Sequence, residues 1–212
     1  PKVIVALNES GSYKVKVHRT QEIQNRVIKG YQAFLTDPQH SCMDAFLNAD
    51  LIVLPLYPED FAEAAAYLAP CLEEFYHQYP ERKLTMICIT NKNYLIPGSE
   101  EDFKKHLSKG AKDWFEKHVA VRDSIIRRST DAADNAALEV DTVAVNSLLI
   151  QEPVYNDFQD VEWMEVIDHV EMLKDVKVFV VNGPHAALAF LGYQKGLKTI
   201  PEAENDEEIK GI

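Results

Sequence analysis

One strand–helix–strand unit in the first half of the chain constrains the fold more than any other feature. Asp50–Pro58 is a short apolar run ended by two prolines, which is typical of a buried parallel strand that runs into a loop. Glu59–Gln78 follows with apolar residues at steps of three and four, the periodicity of an amphipathic helix. Lys83–Thr90 is a second buried strand. Two buried strands joined by a helix predict an α/β fold with a mostly parallel sheet.

Further strands and helices flank this unit. Residues 13–18 alternate between polar and apolar side chains in the manner of a strand, and residues 27–34 do so more loosely. Ser99 is predicted to cap a helix whose first turn is acidic, and Gly110 is a candidate break in that helix. Residues 119–126 then predict another strand.

The pattern changes to helices near residue 160. One helical stripe of apolar side chains is predicted at Val161, Met164, Ile167, Val170 and Leu173. Ala186–Lys195 predicts another helix, which Gly196 would end, and Thr199–Glu202 has the spacing of a capping box. Residues 176–181 are β-branched and favour a strand on propensity alone.

The composition excludes several classes of function. A net charge of −12 argues against a nucleic-acid partner, and no apolar run approaches the roughly 20 residues that cross a bilayer. The first residues lack the layout of a signal peptide, and the three cysteines lack Cys-x-x-Cys spacing, so free thiols and a cytoplasmic location are expected. The seven histidines show no metal-ligand spacing, so no metal is predicted. The sequence makes no prediction of oligomeric state.

An amine, an amide and an imidazole stand close together late in the chain. Lys177, Asn182 and His185 lie at offsets of 0, +5 and +8, directly before an alanine-rich run. Such groups can hold one substrate oxygen, because the lysine removes its proton, the asparagine donates a hydrogen bond to it and the histidine positions it. Each also has a plainer interpretation: a solvated lysine, an asparagine that caps a helix, and a histidine that packs.

The residues after His185 make this pattern more specific. Ala186–Ala203 reads AALAFLGYQKGLKTIPEA and follows directly on Lys177–His185, KVFVVNGPH. Together the two segments resemble the signature of the polyol-specific long-chain dehydrogenases, the mannitol dehydrogenase family. The family includes mannitol 2-dehydrogenase and the hexuronate reductases, and the chain looks most similar to its mannitol-1-phosphate 5-dehydrogenases.

The resemblance implies a fold and two domains. Residues 1–155 would form an incomplete, Rossmann-like dinucleotide-binding domain with a mostly parallel sheet. Residues 156–212 would contain the first helices of an all-α substrate domain. Because the family has a helix where residues 176–181 favour a strand, we expect a helix there.

The resemblance also implies a reaction: metal-independent hydride transfer between NAD and a sugar alcohol or its phosphate, of the mannitol 1-phosphate/fructose 6-phosphate type. In this family a lysine is the general base and two asparagines polarise the reacting oxygen. Lys177 and Asn182 match the lysine and one asparagine, and His185 matches the family's histidine. The other asparagine follows a buried strand, where Asn93 is preferred and Asn91 competes.

Pro55, Leu56 and Tyr57 follow the first buried strand and, with Asn93, are the candidate cofactor-binding residues. A turn that only separates strand from helix explains the prolines almost as well. Two other functions stay open. One is reduction of a hexuronate, of the fructuronate or tagaturonate type, and the other is a non-catalytic α/β domain that keeps the motif as packing.

The chain departs from the family pattern in three places. It contains no Gly-x-Gly-x-x-Gly, a turn that the family carries in a unit that would precede residue 1, with residues 1–8 as the helix that follows. It ends at Ile212, where the family's helical domain is just beginning. Ile126–Arg128 stands where the family often has Val-Asp-Arg. Without the glycine turn, we expect this chain to bind NAD poorly.

Overall fold

The computed structural model describes residues 2–19, 22–36, 41–126, 130–131, 138–143 and 147–212. The chain divides into two compact units, Pro1–Asp168 and His169–Ile212. They are called unit 1 and unit 2 below. Within the described residues, no helix is both long enough and apolar enough to span a membrane.

All strands of the described ranges lie in unit 1. They are β1 (Ser12–His18), β2 (Ile23–Lys29), β3 (Leu51–Leu54), β4 (Leu84–Ile89), β5 (Val119–Ile126), β6 (Thr130–Asp131), β7 (Glu139–Val143), β8 (Leu148–Gln151) and β9 (Met164–Ile167).

Helices occur in both units. In unit 1 they are α1 (Lys2–Ser10), α2 (Met43–Leu47), α3 (Phe61–Gln78), α4 (Ile96–Lys105) and α5 (Lys109–His118), with a 3-10 turn at Pro58–Asp60. In unit 2 they are α6 (Val170–Lys177), α7 (Gly183–Gln194), α8 (Ile200–Glu204) and α9 (Glu207–Lys210), with a π-helical turn at Val178–Asn182.

The main sheet has the strand order β3-β4-β5-β8-β9. The neighbours β3, β4 and β5 run parallel, β8 is antiparallel to β5, and β9 is parallel to β8. Three of these four pairings are parallel, so the predicted α/β class with a mostly parallel sheet is confirmed. The carboxyl ends of β3, β4 and β5 therefore meet at one edge of the sheet.

The core explains why the strongest sequence predictions hold. The central strands β4 and β5 are buried at almost every position, as expected for parallel strands that are covered on both faces. Helix α3 buries Phe61, Leu72 and Phe75 in the same cluster, and Phe115 joins it from α5. The predicted helix at residues 59–78 and the predicted strands at 83–90 and 119–126 are all present.

A second, more exposed sheet has the order β2-β1-β7-β6. The predicted strand at residues 13–18 is β1, of which Val15 is the buried member. The looser prediction for residues 27–34 holds only as far as Lys29, where β2 ends. The chain turns there through Gly30, whose φ of +75° is a conformation that glycine adopts at little cost.

The predicted helix start at Ser99 is wrong. Helix α4 begins at Ile96, and Ser99 is buried inside it, where its Oγ donates to the carbonyl of Leu95 at 3.2 Å. The capping role belongs instead to Ser108, whose side chain accepts from the Ala111 N–H at the start of α5. The helix break therefore precedes Gly110, which lies in the first turn of α5.

The predicted helical stripe is wrong in its first half. Residues 164–167 form β9, and the helix begins only at Val170. The reason is long-range pairing: β9 hydrogen-bonds along β8, and the Leu148 N–H donates to the Trp163 carbonyl at 2.7 Å. Such pairing overrides a local apolar periodicity. In contrast, residues 176–181 are helical, as the family resemblance implied.

Candidate active site

Lys177, Asn182 and His185 lie on one uninterrupted helical run in unit 2. Lys177 is the last residue of α6, Asn182 ends the π-helical turn, and His185 is in the first turn of α7. Lys177 is half-buried, whereas Asn182 and His185 are exposed within the described structure. Because all three residues lie on one helical run, backbone hydrogen bonds set the spacing of their side chains.

The π-helical turn is closed by a hydrogen bond across five residues. The Gly183 N–H donates to the carbonyl of Val178, where an α-helix would pair residues four apart. Single π-helical turns inside α-helices are rare and are frequent at functional sites. The turn begins directly after the predicted base, Lys177, and ends at the predicted amide donor, Asn182.

Two of the plainer interpretations do not fit this geometry. Asn182 has helical φ and ψ of −74° and −34° and makes no capping hydrogen bond with its side chain, so it is not a helix cap. His185 is exposed, so it does not serve the packing of unit 2. Both polar side chains are available for another role.

The tail of the signature folds the helical unit. Gly192 lies so close to α8 that an added Cβ would be 2.8 Å from the Cβ of Ala203. Gly196, with φ +75°, follows the end of α7. Thr199 and Glu202 form the predicted capping box at the start of α8. These residues determine how the helices pack and are assigned no role in the reaction.

An ion-pair cluster ties the end of α7 to α9. Lys195 Nζ donates to Asp206 Oδ1 at 2.6 Å and to Glu208 Oε2 at 2.8 Å. The Asp206 carboxylate also accepts from the backbone N–H groups of Glu208 and Ile209 and so caps α9. The hydrogen bond from Lys195 lowers the pKa of Asp206, and the bond to Asp206 raises the pKa of Lys195.

The predicted cofactor residues follow neighbouring parallel strands of unit 1. Pro55, Leu56 and Tyr57 come directly after β3, and Asn93 follows β4. Because Leu54 is in register with Cys88, both loops leave the same edge of the sheet. Open α/β sheets bind dinucleotides outside the carboxyl ends of their strands. Tyr57 is 74% exposed at this edge.

Asn93 is more buried than its competitor. It is half-buried, and its Oδ1 accepts from the Tyr94 N–H at 3.2 Å, whereas Asn91 is exposed. Tyr94 has φ +56°, a left-handed conformation that is uncommon for a non-glycine residue and costs energy. This hydrogen bond orients the Oδ1 of Asn93 towards the backbone of Tyr94. The NH₂ group lies at the other end of the same side-chain amide.

The sequence analysis missed two polar residues at the end of the central strand. Asp123 and Ser124 are buried on β5 in register with Cys88 and Ile89. Ser124 Oγ donates to the Cys88 carbonyl at 2.8 Å, and Asp123 Oδ1 accepts from the Ser124 N–H at 2.8 Å. The available signal was a polar pair inside the otherwise apolar run at residues 119–126. Arg127 and Arg128, singled out above, lie outside the described residues.

Unit 2 contains a second lysine that the sequence analysis did not single out. Lys174 is 3% exposed and lies one turn before Lys177 on α6. A buried lysine is rare unless its charge is compensated, which distinguishes Lys174 from an ordinary solvated lysine. The sequence contained a signal for this residue, because Lys174 and Lys177 are three residues apart and such residues share a helix face.

Comparison with known families shows what this helical region is similar to. Residues 169–212 match the family model of the mannitol dehydrogenase C-terminal domain. Over this segment, the chain is similar to the C-terminal domain of the mannitol dehydrogenases. The matched residues coincide with unit 2, His169–Ile212, so the compact helical unit and the family segment begin at the same residue.

Two solved dehydrogenases share the fold of this chain. D-Sorbitol dehydrogenase in substrate-free form aligns with 99% of this chain and 54% of its own, at a TM-score of 0.76 and 14% identity. Mannitol 2-dehydrogenase of Pseudomonas fluorescens, in a ternary complex with NAD and D-mannitol, aligns with 98% of this chain and 52% of its own, at a TM-score of 0.73 and 15% identity. The chain therefore spans about half the length of these proteins.

A ketopantoate reductase of the PanE/ApbA family from Ralstonia eutropha is a more distant likeness. It aligns with 89% of this chain and 54% of its own, at a TM-score of 0.53 and 13% identity. At such identities these likenesses show the fold. They confirm the predicted Rossmann-like α/β architecture.

Proposed function

We propose that the protein is an NAD-linked polyol dehydrogenase, which interconverts a sugar alcohol and the corresponding keto sugar. One observation carries the proposal. Lys177, Asn182 and His185 occur together on one helical run, inside the segment that matches the mannitol dehydrogenase family. Mannitol 2-dehydrogenase, one of the structural neighbours, was solved with NAD and D-mannitol, which supports this substrate class.

In the proposed reaction, Lys177 is the general base. Oxidation of a carbinol removes the hydroxyl proton and transfers a hydride from the same carbon, so that a carbonyl forms. A neutral Lys177 accepts the proton at Nζ, and desolvation and a nearby positive charge both favour its neutral form. In the reverse direction the ammonium returns that proton to the oxygen. A positioned base contributes roughly 10²–10⁴-fold in rate.

Asn182 and Asn93 stabilise the developing alkoxide in this proposal. Each carboxamide can donate one hydrogen bond to the oxygen as negative charge builds on it, and His185 orients that oxygen. A preorganised donor of this kind is worth on the order of 10²–10³ in rate.

The carboxyl edge of the main sheet suits the nicotinamide end of NAD. Pro55, Leu56, Tyr57 and Asn93 would contact the cofactor, which supplies the hydride acceptor of the reaction. Backbone from two adjacent parallel strands and an exposed tyrosine ring at that edge fit a flat heterocycle. The chain's eight glycines include no Gly-x-Gly-x-x-Gly, so its own residues supply no such turn for the pyrophosphate.

A sugar-alcohol phosphate such as mannitol 1-phosphate is the first substrate to test. The support is the short segment between Asn93 and Lys177, which resembles the shorter members of the family. Hexuronate reduction is the alternative, and the two differ in the anion that the substrate carries. We further propose that the protein works in a reducing, cytoplasmic compartment, which its three free thiols Cys42, Cys71 and Cys88 support.

An NAD-linked screen of polyols, polyol phosphates and hexuronates tests the function, at NAD concentrations high enough to offset the weak cofactor binding that we expect. Lys177→Ala should lower kcat for polyol oxidation about 10²–10⁴-fold and abolish the fall in rate at low pH, where a general base becomes protonated. Lys198→Ala is the matched control, because Lys198 is an exposed lysine of the same unit. An unchanged pH–rate profile in Lys177→Ala would exclude the lysine as the base.

A further inference from the structure

We infer that the π-helical turn is a positioning device, which brings Lys177, Asn182 and His185 onto one face of the helix. The catalytic meaning of this arrangement rests on the proposed function. The arrangement itself rests on the backbone hydrogen bonding between α6 and α7.

In a plain α-helix these three residues would not share a face. Successive residues are about 100° apart around the axis, since a turn takes about 3.6 residues. An offset of five residues would place Asn182 about 140° from Lys177, and an offset of eight would place His185 about 80° away. The amine and the amide would then point to different sides of the helix.

The π-helical turn removes this misfit. Because Gly183 hydrogen-bonds to Val178 five residues back, the turn takes in one residue more than an α-helical turn. Asn182 then occupies the angular place of a residue four positions after Lys177, and His185 that of a residue seven positions after it. Offsets of four and seven share one helix face, and the three side chains fall within an arc of about 60°.

The residues of the turn disfavour a plain α-helix. Val178–Val181 reads Val-Phe-Val-Val, a run of β-branched and aromatic side chains. Such side chains crowd the preceding turn of an α-helix and are stiff at χ1. The wider π-helical turn relieves this crowding. The helix continues without a break on both sides, so the extra residue alters only the rotation between Lys177 and Asn182.

The Zn²⁺ affinity of engineered histidine pairs can measure the rotation between positions 177 and 182 without any enzyme assay. Two histidines on one helix face, one turn apart, chelate Zn²⁺, whereas two on different faces cannot. In a His185→Ala background, the pair Lys177→His with Asn182→His should bind Zn²⁺ at least about 10-fold tighter than Lys177→His alone. The pair Lys177→His with Val181→His, at the offset that an α-helix would favour, should show no such gain.

Zinc titration of these variants decides the inference in every case. A gain for the Asn182 pair alone supports it. A gain for the Val181 pair overturns it, because the turn would then be α-helical. A gain for both pairs overturns it because the turn would be loose, and a gain for neither because the rotation would be another one. Circular dichroism of each variant checks that the helices are retained.

A register series links the turn to catalysis. Moving the amide by Val181→Asn with Asn182→Val should lower kcat about 10²–10³-fold, as loss of a donor would. Deleting Val180 removes the extra residue, so that the offsets become four and seven in a plain α-helix, and kcat should stay within about 10-fold of wild type. A deletion as damaging as the amide shift would overturn the catalytic part.

The two proposals fail separately. If the wild-type protein oxidises no polyol even at NAD concentrations that offset its weak cofactor binding, the proposed function fails, while zinc binding still decides the rotation of the turn. If the wild-type protein is active and the Asn182 pair gains no zinc affinity, the π-helical register fails and the function stands.

Discussion

The two units of the chain are built on different principles. The largest hydrophobic cluster lies wholly in unit 1, between Phe46 and Val121, and its members include the fully buried Phe75. Among the described residues of unit 2, the buried apolar side chains are Val170, Ala203 and Ile209. Its large aromatic residues Phe179, Phe190 and Tyr193 are between 72% and 82% exposed.

The difference separates what stabilises the fold from what carries the family signature. In unit 1, side-chain burial decides where strands and helices lie. In unit 2, caps, ion pairs and one close glycine contact set the geometry locally. Substitutions in unit 1 should therefore act on global unfolding, whereas those in unit 2 should act on local helix packing.

The largest expected effect comes from removing a core ring of unit 1. Phe75 packs against Phe46 and Trp114, and Arg82 lies 5.1 Å above its ring. Phe75→Ala should lower the free energy of unfolding by about 3–5 kcal/mol in a denaturant titration. Phe179→Ala is the matched control in unit 2 and should change it by less than about 0.5 kcal/mol. Similar losses for both variants would contradict the contrast between the units.

A smaller effect is expected at the glycine contact of unit 2. Gly192→Ala should weaken the packing of α7 on α8 by about 1–3 kcal/mol, because two rigid Cβ atoms would stand 2.8 Å apart. Hydrogen exchange of the α7 and α8 amides would measure the loss. Ala203→Gly in the same chain should restore protection. Gly98→Ala in α4, where an added Cβ meets nothing within 4 Å, should be neutral or stabilising.

The same contrast explains which parts of the fold could be predicted from the sequence. Helix α3 and strand β4 were predictable because their local apolar pattern coincides with burial in the core. β9 was not, because it depends on pairing with β8, which no local pattern shows. The start of α4 was missed for a related reason: Ser99 looked like a cap, but its hydroxyl bonds back to the preceding turn inside the helix.

For the candidate site, the residues stay a prediction from the sequence, and the helical geometry that carries them was not predicted. The spacing of Lys177, Asn182 and His185, together with the alanine-rich tail, was enough to find the family resemblance that residues 169–212 also show. The π-helical turn was invisible, because residue propensities distinguish helix from strand but do not specify a five-residue hydrogen bond. The buried Asp123 and Ser124 were hidden by the apolar residues around them on β5.

A still smaller effect is expected at Arg82, in the turn before β4. Arg82 donates to the carbonyls of Leu47 and Ala49 and to the Asp50 carboxylate, at 2.8 to 3.0 Å. Arg82→Lys keeps the charge but loses the planar fork, so unfolding free energy should fall by about 1–2 kcal/mol. The exposed Arg26→Lys in β2 is the control. Equal values for the two variants would show that the charge alone matters.

The smallest effect should be an acid transition confined to unit 2. The ordinary pKa of an aspartate is 3.8, and the hydrogen bond from Lys195 lowers the pKa of Asp206 below it. Such a group stabilises the folded state above its ordinary pKa, and that contribution is lost as the pH falls through the lower, folded value. Helicity of unit 2, read by far-UV circular dichroism, should hold down to about pH 4 and then decline.

Asp206→Asn isolates the charge in this transition, because asparagine can still cap α9. The variant should show a weaker signal at neutral pH and a shallower decline in acid. Glu204→Gln, at an exposed position of α8, should titrate like the wild type. If Asp206→Asn instead keeps the full acid transition, the Lys195 cluster does not hold α9, and unit 2 would depend on its few buried side chains. It would then resemble unit 1 more closely than the exposed aromatic residues suggest.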